Sequence, residues 1–443
     1  MRGGATTGAW LKRVAGIVLP KGRFARSVTL LAGGSAIGQA ITVLVSPILT
    51  RLYSPDEFGV LGVYASILGV ITVVASLRYE YAIPISEDDA TAANIFALCF
   101  ALLLGMTALS WLVVQGLGRQ IVTWANVHGS ERYLWLIPLG MLGAGTYQIL
   151  NYWAVRKRDF TRIARTRLSR GVARATIQVS VGFTSSGPLG LLLGQLAGET
   201  AGSTSLGLSA WRKDRGSFKA VSLEGMRKAG WRYRRFPLFS SWADLLDSLG
   251  LQLPLLLFAA FYGAEVAGWF ALGQRVIAAP LNILVDSVAQ VYFGEAARLP
   301  RDDPKSMRRL FLKLTNRLAL TGALPAAVIC ALAPWFFVVI FGPAWETAGR
   351  YVQILGLMFA VRFAVVPLSH TLNILEHQDL YFVWDGIRLV LVVGALLAGK
   401  AVGFSHINAV AAYSLSMLAA YVLLWGILWY ALMGRSGVGG QEV

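Results

Sequence analysis

Long apolar runs alternate with short polar segments along almost the whole chain. A membrane-spanning helix needs roughly 20 apolar residues, and twelve runs approach or exceed that length. The predicted spans are 27–50, 58–77, 91–115, 133–154, 171–185, 188–210, 237–260, 268–292, 310–340, 351–373, 382–400 and 407–433. The pattern therefore predicts an all-α polytopic membrane protein with about 12 transmembrane helices.

The polar segments carry helix-start signals. In "LTRLYSPDEFG", Leu49 to Gly59, Ser54 is placed to cap a helix, Pro55 suits its first position and Glu57 can complete a capping box. "SEDDA" predicts the same arrangement with Ser86 as the cap of the third span.

Two faint repeats suggest an internal duplication. Gly59 aligns with Gly268 at an offset of 209, and 131–140 aligns with 349–358 at an offset of 218. Because each pair falls in corresponding loops, we predict two pseudo-symmetric six-helix lobes related by an axis along the membrane normal, around a central cavity.

This duplication divides the chain into five parts. We predict a basic cytoplasmic tail at 1–26, an N-lobe at 27–210, a basic cytoplasmic linker at 211–236, a C-lobe at 237–433 and a cytoplasmic C-terminal tail at 434–443.

Composition and charge agree with a membrane protein. Hydrophobic residues make up 56% and charged residues 14%, whereas soluble domains carry about 25% charged residues. The net charge is +17, and 32 of the 40 Lys and Arg residues fall on the predicted inner segments against five on the outer ones. This asymmetry predicts cytoplasmic termini. It also argues against nucleic-acid binding, since the basic residues form no single stripe. The basic loops are instead expected to contact anionic membrane lipids.

Two arginines inside predicted spans are candidate anion-binding groups. A charge at the bilayer centre costs about 2.5–3.5 kcal/mol on insertion scales, so it needs a partner, water or a function. Arg362, near the middle of the tenth span, is predicted to bind pyrophosphate or an acidic sugar, with a buried ion pair as the alternative. Arg275, in the eighth span, is a second candidate, for which snorkelling to the interface is the alternative.

Acids inside the spans are candidates for energy coupling. Asp244 and Asp247 are three residues apart and should share one helical face, Glu199 lies on a polar stripe of the sixth span, and Asp286 is in the eighth. These carboxylates are predicted to line the cavity and carry H+ or Na+; the alternative is that they only neutralise the arginines.

Charged pairs also occur near the inner ends of the spans. Arg78 and Glu80 are two residues apart, so on a helix they would not share a face and no ion pair is expected. Asp385 and Arg388 are three apart in the eleventh span and are expected to pair or to line the same entrance.

No metal or cofactor chemistry is predicted. Cys99 and Cys330 lie in apolar runs and are expected to be small core residues. The four histidines, 128, 370, 377 and 406, are scattered, and no phosphate-binding loop is present. We therefore expect no metal, no cofactor and no ATP hydrolysis by this chain. The basic first 26 residues contain no cleavable signal peptide pattern.

Three stretches resemble a known family. They are "PILTRLYSPDEFGVLGVYASI" (Pro47 to Ile67), "SLRYEYAIPISEDDATAANIF" (Ser76 to Phe96) and "FGPAWETAGRYVQIL" (Phe341 to Leu355). They resemble the Wzx-type polysaccharide and O-antigen flippases of the multidrug/oligosaccharidyl-lipid/polysaccharide (MOP) exporter superfamily, over nearly the whole chain. The first span contains no charge, and its notable polar residue is Gln39. This favours the polysaccharide branch over its relatives, the peptidoglycan-precursor flippases and the cation-coupled drug exporters.

The resemblance implies a function and a location. The cargo would be an undecaprenyl-pyrophosphate-linked oligosaccharide, moved from the cytoplasmic to the outer leaflet of the bacterial inner membrane by alternating access. Its product would feed O-antigen, capsule or exopolysaccharide synthesis, with a polysaccharide polymerase and chain-length proteins as partners. By the same resemblance Arg78 is expected to meet the headgroup at the inner entrance, with an interfacial anchor as the alternative. Arg388, near the same entrance, and Gln39, in the first span, are further substrate-binding candidates beside Arg275 and Arg362.

Two other functions are kept as alternatives. One is a cation-coupled multidrug exporter of the same superfamily. The other is a membrane glycan polymerase or glycosyltransferase, which the short outer loops disfavour because such an enzyme is expected to carry a large extramembrane loop.

Overall fold

The computed structural model of the protein describes residues 23–127, 129–184, 187–296 and 304–434. Within these ranges the chain is helical and contains no strand. Fourteen of the helices in these ranges have ten or more residues: α1 (Arg23–Leu52), α2 (Pro55–Val73), α3 (Asp89–Trp124), α4 (Leu136–Arg156), α5 (Phe160–Gly182), α6 (Leu189–Thr200), α7 (Ser203–Phe218), α8 (Leu223–Arg232), α9 (Ser241–Tyr262), α10 (Ala264–Ala296), α11 (Pro304–Phe341), α12 (Glu346–Val365), α13 (Gln378–Val402) and α14 (His406–Gly434).

The predicted all-α membrane architecture is confirmed. Each predicted span coincides with one or two helices, and eight helical stretches in the described ranges are long and apolar enough to cross a membrane. Two spans predicted to be continuous are broken. The span 188–210 divides into α6 and α7 at Gly202, whose φ is +90°, a conformation that glycine adopts without steric cost. The span 351–373 tightens into a 3₁₀ turn at Val366–Ser369, because Pro367 has no amide hydrogen to donate.

The helix-start signals are confirmed at one site and corrected at the other. Before α2, the Glu57 amide donates to Ser54 Oγ at 3.3 Å, and the Ser54 amide donates to Glu57 Oε2 at 2.7 Å. Before α3, the cap is Asp88, whose Oδ1 accepts from the Thr91 amide at 2.6 Å. The prediction of Ser86 as the cap is wrong because the helix begins two residues later than that cap requires.

The basic loop predicted between the fourth and fifth spans is largely helical. Arg170 and Arg174 lie well inside α5. The hydropathy pattern missed this part of α5 because its arginines lower the local apolar content. α5 packs closely on α1, where a Cβ added at Gly34 would lie 2.8 Å from the Ala164 carbonyl oxygen. Small residues at helix contacts are typical of packing within membranes.

The two halves of the chain meet through a reciprocal backbone contact. A Cβ at Gly59 would lie 1.8 Å from the carbonyl oxygen of Ala264, and a Cβ at Gly268 would lie 1.8 Å from the carbonyl oxygen of Pro55. Pro55 and Ala264 are separated by 209 residues, as are Gly59 and Gly268. Each half therefore presents the same patch to the other, as expected across a two-fold axis. We call this end of the protein the glycine end.

One seam between the halves is closed along its whole length. Helices α2 and α9 run antiparallel, and a Cβ at Gly69 would lie 2.7 Å from Gln252 Nε2. Ser248 Oγ donates to the Gly69 carbonyl at 3.2 Å. Arg78 and Asp244 close the seam at the opposite end, which carries α8 and which we call the linker end. The pair related by the two-fold axis, α1 and α10, touches far less.

The glycine contact should be sensitive to one methyl group. In Gly59→Ala the new Cβ would collide with the Ala264 carbonyl, so the glycine end should be forced apart and the protein should unfold at lower temperature. Spin labels on Thr123 and Val402, exposed at that end on opposite halves, should move apart in pulsed electron resonance.

The matched control is Gly105→Ala in α3, where nothing lies within 4 Å of the new Cβ. This control should keep the distance and gain slightly in helix propensity. An unchanged label distance in Gly59→Ala would show that the contact does not hold the glycine end closed.

Candidate functional site

A polar cavity of about 320 Å³ opens between α2, α4 and α6. Its lining residues all belong to the first half of the chain: Ala65, Leu68, Gly69, Thr72, Val73, Arg78, Ala144, Gln148, Gln195 and Glu199. The cavity borders the seam with the other half, because Gly69 touches Gln252 and Arg78 touches Asp244. We call this space the polar cavity.

Glu199 in the wall of the polar cavity is held by two arginines of α5. Its Oε2 pairs with Arg170, and its Oε1 lies 3.0 Å from Arg174 Nη2 and accepts from Gln195 Nε2 at 3.0 Å. The Arg170 guanidinium also lies 4.2 Å from the centre of the Tyr147 ring. Two guanidinium groups thus share one carboxylate, which leaves a surplus of positive charge beside the cavity.

Arg78 joins the two halves at the linker end. Its Nε lies 2.7 Å from Asp244 Oδ2 and its Nη1 lies 3.4 Å from Glu80 Oε1. The prediction that Arg78 and Glu80 do not pair is wrong, since it assumed a continuous helix. In the structure α2 ends at Val73, and Arg78 has a left-handed backbone with φ of +60°.

The carboxylates around Arg78 are held by further hydrogen bonds. Glu80 is almost fully buried, at 1% exposure, and accepts from Ser76 Oγ at 2.5 Å and from Gln148 Nε2 at 2.8 Å. Tyr81 donates its hydroxyl to Asp244 Oδ2 at 2.8 Å. Arg78 is therefore neutralised and fixed in this conformation, although it lines the cavity.

A second bridging arginine lies in the other half. Arg388 Nη2 lies 2.9 Å from Asp385 Oδ1 and 3.0 Å from Asp247 Oδ1, and the residue is 5% exposed. The predicted pairing of Asp385 with Arg388 is present. Asp244 and Asp247, predicted to act on one face, have different partners: Asp244 binds the first half through Arg78, and Asp247 binds the second through Arg388.

Arg275 has no acidic partner among the described residues. Its guanidinium lies 5.6 Å from the centre of the Phe58 ring, which belongs to the other half of the chain. Its Nη1 is buried without a hydrogen-bond partner in the described part of the chain, and Arg174 lies near enough to repel it. The side chain lies between the two halves instead of snorkelling to the interface.

Arg362 also lacks the ion pair that was its alternative explanation. Its Nη2 donates to Asn282 Oδ1 at 2.8 Å, a neutral acceptor. Asn282 follows Arg275 by seven residues on α10, so the two lie on the same face of that helix. Arg275 and Arg362 are not among the residues that line the polar cavity.

Two other candidates are exposed on the protein surface. Gln39 on α1 and Asp286 on α10 are both exposed. The described residues supply neither of them with a hydrogen bond or ion pair. The histidines give no metal site in the described part of the chain. His370 Nδ1 lies 3.2 Å from Asn373 Nδ2, and the described residues contain no cluster that could hold a metal ion. His128 falls outside the described residues.

The sequence analysis missed several residues of the site. Arg170 falls just before the predicted fifth span, 171–185, and Arg174 near its start, and both were counted only as basic residues that set the orientation. Their four-residue spacing is the signal that both would face one side of a helix. Gln148 and Tyr81, which bond to Glu80 and Asp244, gave no signal in the sequence because their partners are distant along the chain.

Comparison with known proteins identifies the family. Residues 48–350 match the family described as "Polysaccharide biosynthesis protein". The chain belongs to this family. Over 384 residues it is 24% identical to the succinoglycan biosynthesis transport protein ExoT of Rhizobium meliloti (strain 1021), covering 85% of this chain and 75% of that protein. The predicted resemblance to the polysaccharide biosynthesis transporters is confirmed at the level of this family.

Solved structures share the fold of this polysaccharide biosynthesis protein. An inward-facing multidrug-resistance MATE transporter of the MOP superfamily matches with a TM-score of 0.74 at 12% identity, over 93% of this chain and 96% of that one. The lipid II flippase MurJ, in an inward closed conformation, matches with a TM-score of 0.67 at 11% identity, over 91% and 89%. The family member is thus a multi-pass membrane protein with the two-lobe MOP fold.

Removing the Glu199 carboxylate should destabilise the N-terminal half. In Glu199→Gln, Arg170 and Arg174 lose their shared counter-ion, and leaving a buried charge unpaired costs about 3 kcal/mol. The thermal unfolding temperature in detergent should therefore fall. Arg174→Gln combined with Glu199→Gln should recover part of the loss.

Glu224→Gln is the matched control. Glu224 pairs with Lys228 one turn away, and both side chains are 76% exposed, so its loss should be nearly neutral. Equal unfolding temperatures for the Glu199 and Glu224 variants would mean that the ion pairs of Glu199 do not stabilise the fold.

Proposed function

We propose that this protein is a flippase that moves a lipid-linked oligosaccharide from the cytoplasmic to the outer leaflet during surface polysaccharide synthesis. The cargo is an oligosaccharide on undecaprenyl pyrophosphate, and the two lobes alternate around it. Membership of the polysaccharide biosynthesis family and the similarity to ExoT, a succinoglycan biosynthesis transport protein, support this class of cargo. The family and the transporter fold also favour transport over glycan polymerisation.

The observation that carries the proposal is the uncompensated charge of Arg275. Its guanidinium lies between the lobes, next to Phe58, with an unbonded Nη1 and no carboxylate among the described residues. A cation whose buried nitrogen has no partner costs free energy, and a bound anion removes that cost. Because the guanidinium group can donate two parallel hydrogen bonds to phosphate oxygens, a pyrophosphate is a suitable ligand.

The surrounding residues suit the rest of the cargo. The polar cavity offers Gln148 and Gln195, whose amides can bond sugar hydroxyls, beside the cationic Arg170 and Arg174. The looser contact between α1 and α10 provides a side on which a polyprenyl tail can stay in the bilayer while the headgroup enters between the lobes.

The conformation fits the loading state of such a cycle. With the orientation predicted from the basic loops, the glycine end faces outward and is closed, and the cargo enters from the cytoplasmic side. Three of the acids proposed for H+ or Na+ coupling, Glu199, Asp244 and Asp247, already hold arginines. For one of these three carboxylates to bind H+ or Na+, its arginine must move away first. Asp286 has no such partner among the described residues and can bind the ion directly.

The test is to replace Arg275 and Arg362, for which the described residues supply no carboxylate partner. Arg275→Gln and Arg362→Gln should each reduce surface polysaccharide strongly and leave lipid-linked oligosaccharide on the cytoplasmic face, at normal protein level in the membrane. Arg275→Lys should recover only part of the activity, because an ammonium group lacks the guanidinium fork.

Arg350→Gln is the control, since Arg350 is exposed and pairs with Glu346 one turn away. This variant should export polysaccharide normally. Normal export from both Arg275→Gln and Arg362→Gln would refute the proposal. Efflux of organic cations from membrane vesicles, without any glycan defect on deletion of the protein, would favour the drug-exporter alternative.

A further inference from the structure

We propose that the protein has a second binding site, for the phosphate of an anionic phospholipid headgroup, at its linker end. The site is a pocket of about 390 Å³ enclosed by the end of α4, the start of α5 and the middle of α7. It shares no lining residue with the polar cavity. We call it the α4–α7 pocket, and its role does not depend on the cargo proposed above.

The rim of the α4–α7 pocket has a surplus of positive charge. It carries four basic and two acidic side chains, which leaves two positive charges in excess: Lys157, Arg158, Arg162, Lys213, Asp159 and Asp214. Asp89, outside the pocket, also pairs with Lys157, but the charge of Asp89 is balanced by Arg156, whose Nε lies 2.9 Å from Asp89 Oδ1. The excess charge is therefore local to the rim.

The acids hold three of the basic side chains around the opening. Asp159 Oδ2 lies 3.1 Å from Arg162 Nε and 3.7 Å from Lys213 Nζ. Asp214 Oδ1 lies 3.3 Å from Lys157 Nζ. These contacts position the cations without cancelling them all, which is the arrangement of a preformed anion site.

Arg158 is the group left free to bind. It is exposed, and the described residues give its side chain no hydrogen bond or ion pair. Its backbone is left-handed, with φ of +55°, at the position after the C-cap of α4. The amides of Arg158 and Asp159 bond to the carbonyls of Val155 and Ala154 at 3.0 Å, which closes the helix end. Glycine is the favoured residue at this position, so replacing Arg158 by glycine removes the side chain and relieves the backbone conformation.

The floor of the α4–α7 pocket is apolar, which points to an amphiphile. Trp153, Leu150 and Leu206 are buried there, and the indole of Trp153 donates to Asp214 Oδ2 at 3.0 Å. On the outer side of α7, Leu208 and Trp211 are 50% and 66% exposed, as expected for a surface that faces lipid. A phospholipid suits both the basic rim and the apolar floor, because its phosphate can bind at the rim while its glycerol and upper acyl carbons lie over the floor.

The decisive variant is Arg158→Gly, because binding and stability should change in opposite directions. Titration calorimetry of the full chain in maltoside detergent would use dioctanoyl phosphatidylglycerol as the probe. We expect the affinity to fall about tenfold, the loss typical of one charge-assisted hydrogen bond. The unfolding temperature should stay equal or rise, because glycine relieves the left-handed strain. Lys213→Gln, on a different helix and 63% exposed, should also weaken binding.

Arg165→Gln is the matched control, since Arg165 is exposed on α5 and does not line the pocket; its affinity should equal that of the wild type. Dioctanoyl phosphatidylcholine and sodium phosphate serve as comparison ligands and should bind more weakly. Wild-type affinity in both Arg158→Gly and Lys213→Gln would overturn the proposal. Equally tight binding of sodium phosphate would overturn the assignment to a lipid.

Discussion

The structure depends on one backbone contact, made twice. Gly59 and Gly268 each admit a carbonyl oxygen of the other half to within a distance that no side chain permits. Because the two contacts are related by the same two-fold axis as the lobes, neither lobe can shift at the glycine end without breaking both. The contact therefore holds the glycine end closed in this conformation, and a lobe movement that opens that end must break both contacts together.

A single helix supplies carboxylates to both halves of the protein at the linker end. α9 gives Asp244 to Arg78 of the first half and Asp247 to Arg388 of the second. Only the first of these pairs crosses between lobes, so separating Arg78 from α9 breaks one ion pair and preserves the other. Within a low-dielectric bundle that difference matters, because an unpaired charge is expensive. An anionic headgroup that met Arg78 would lower the cost of that separation.

The sequence was sufficient for the architecture but not for the pairing of its charges. Apolar length predicted helix in each of the twelve segments, although two of these segments are broken, and the echo between Gly59 and Gly268 predicted the two-fold relation. Both predictions follow from local pattern. The helical placement of Arg170 was missed because arginines lower hydropathy even when a helix carries them. Partners such as Glu199 with Arg174 join different helices, and hydropathy and helical period carry no information on contacts between helices.

Among the described residues, the arginines inside the helix bundle differ in their partners, and this difference separates those that hold helices together from those proposed to bind cargo. Those that share a carboxylate, such as Arg78, Arg170 and Arg388, hold helices together. Arg275 has an aromatic ring and an empty hydrogen-bonding position instead, so in the absence of an anion it destabilises the contact between the lobes on which it sits. A bound phosphate would remove that penalty only while it lies between the lobes. Under the function proposed above, binding of the cargo phosphate to Arg275 therefore stabilises the contact between the lobes.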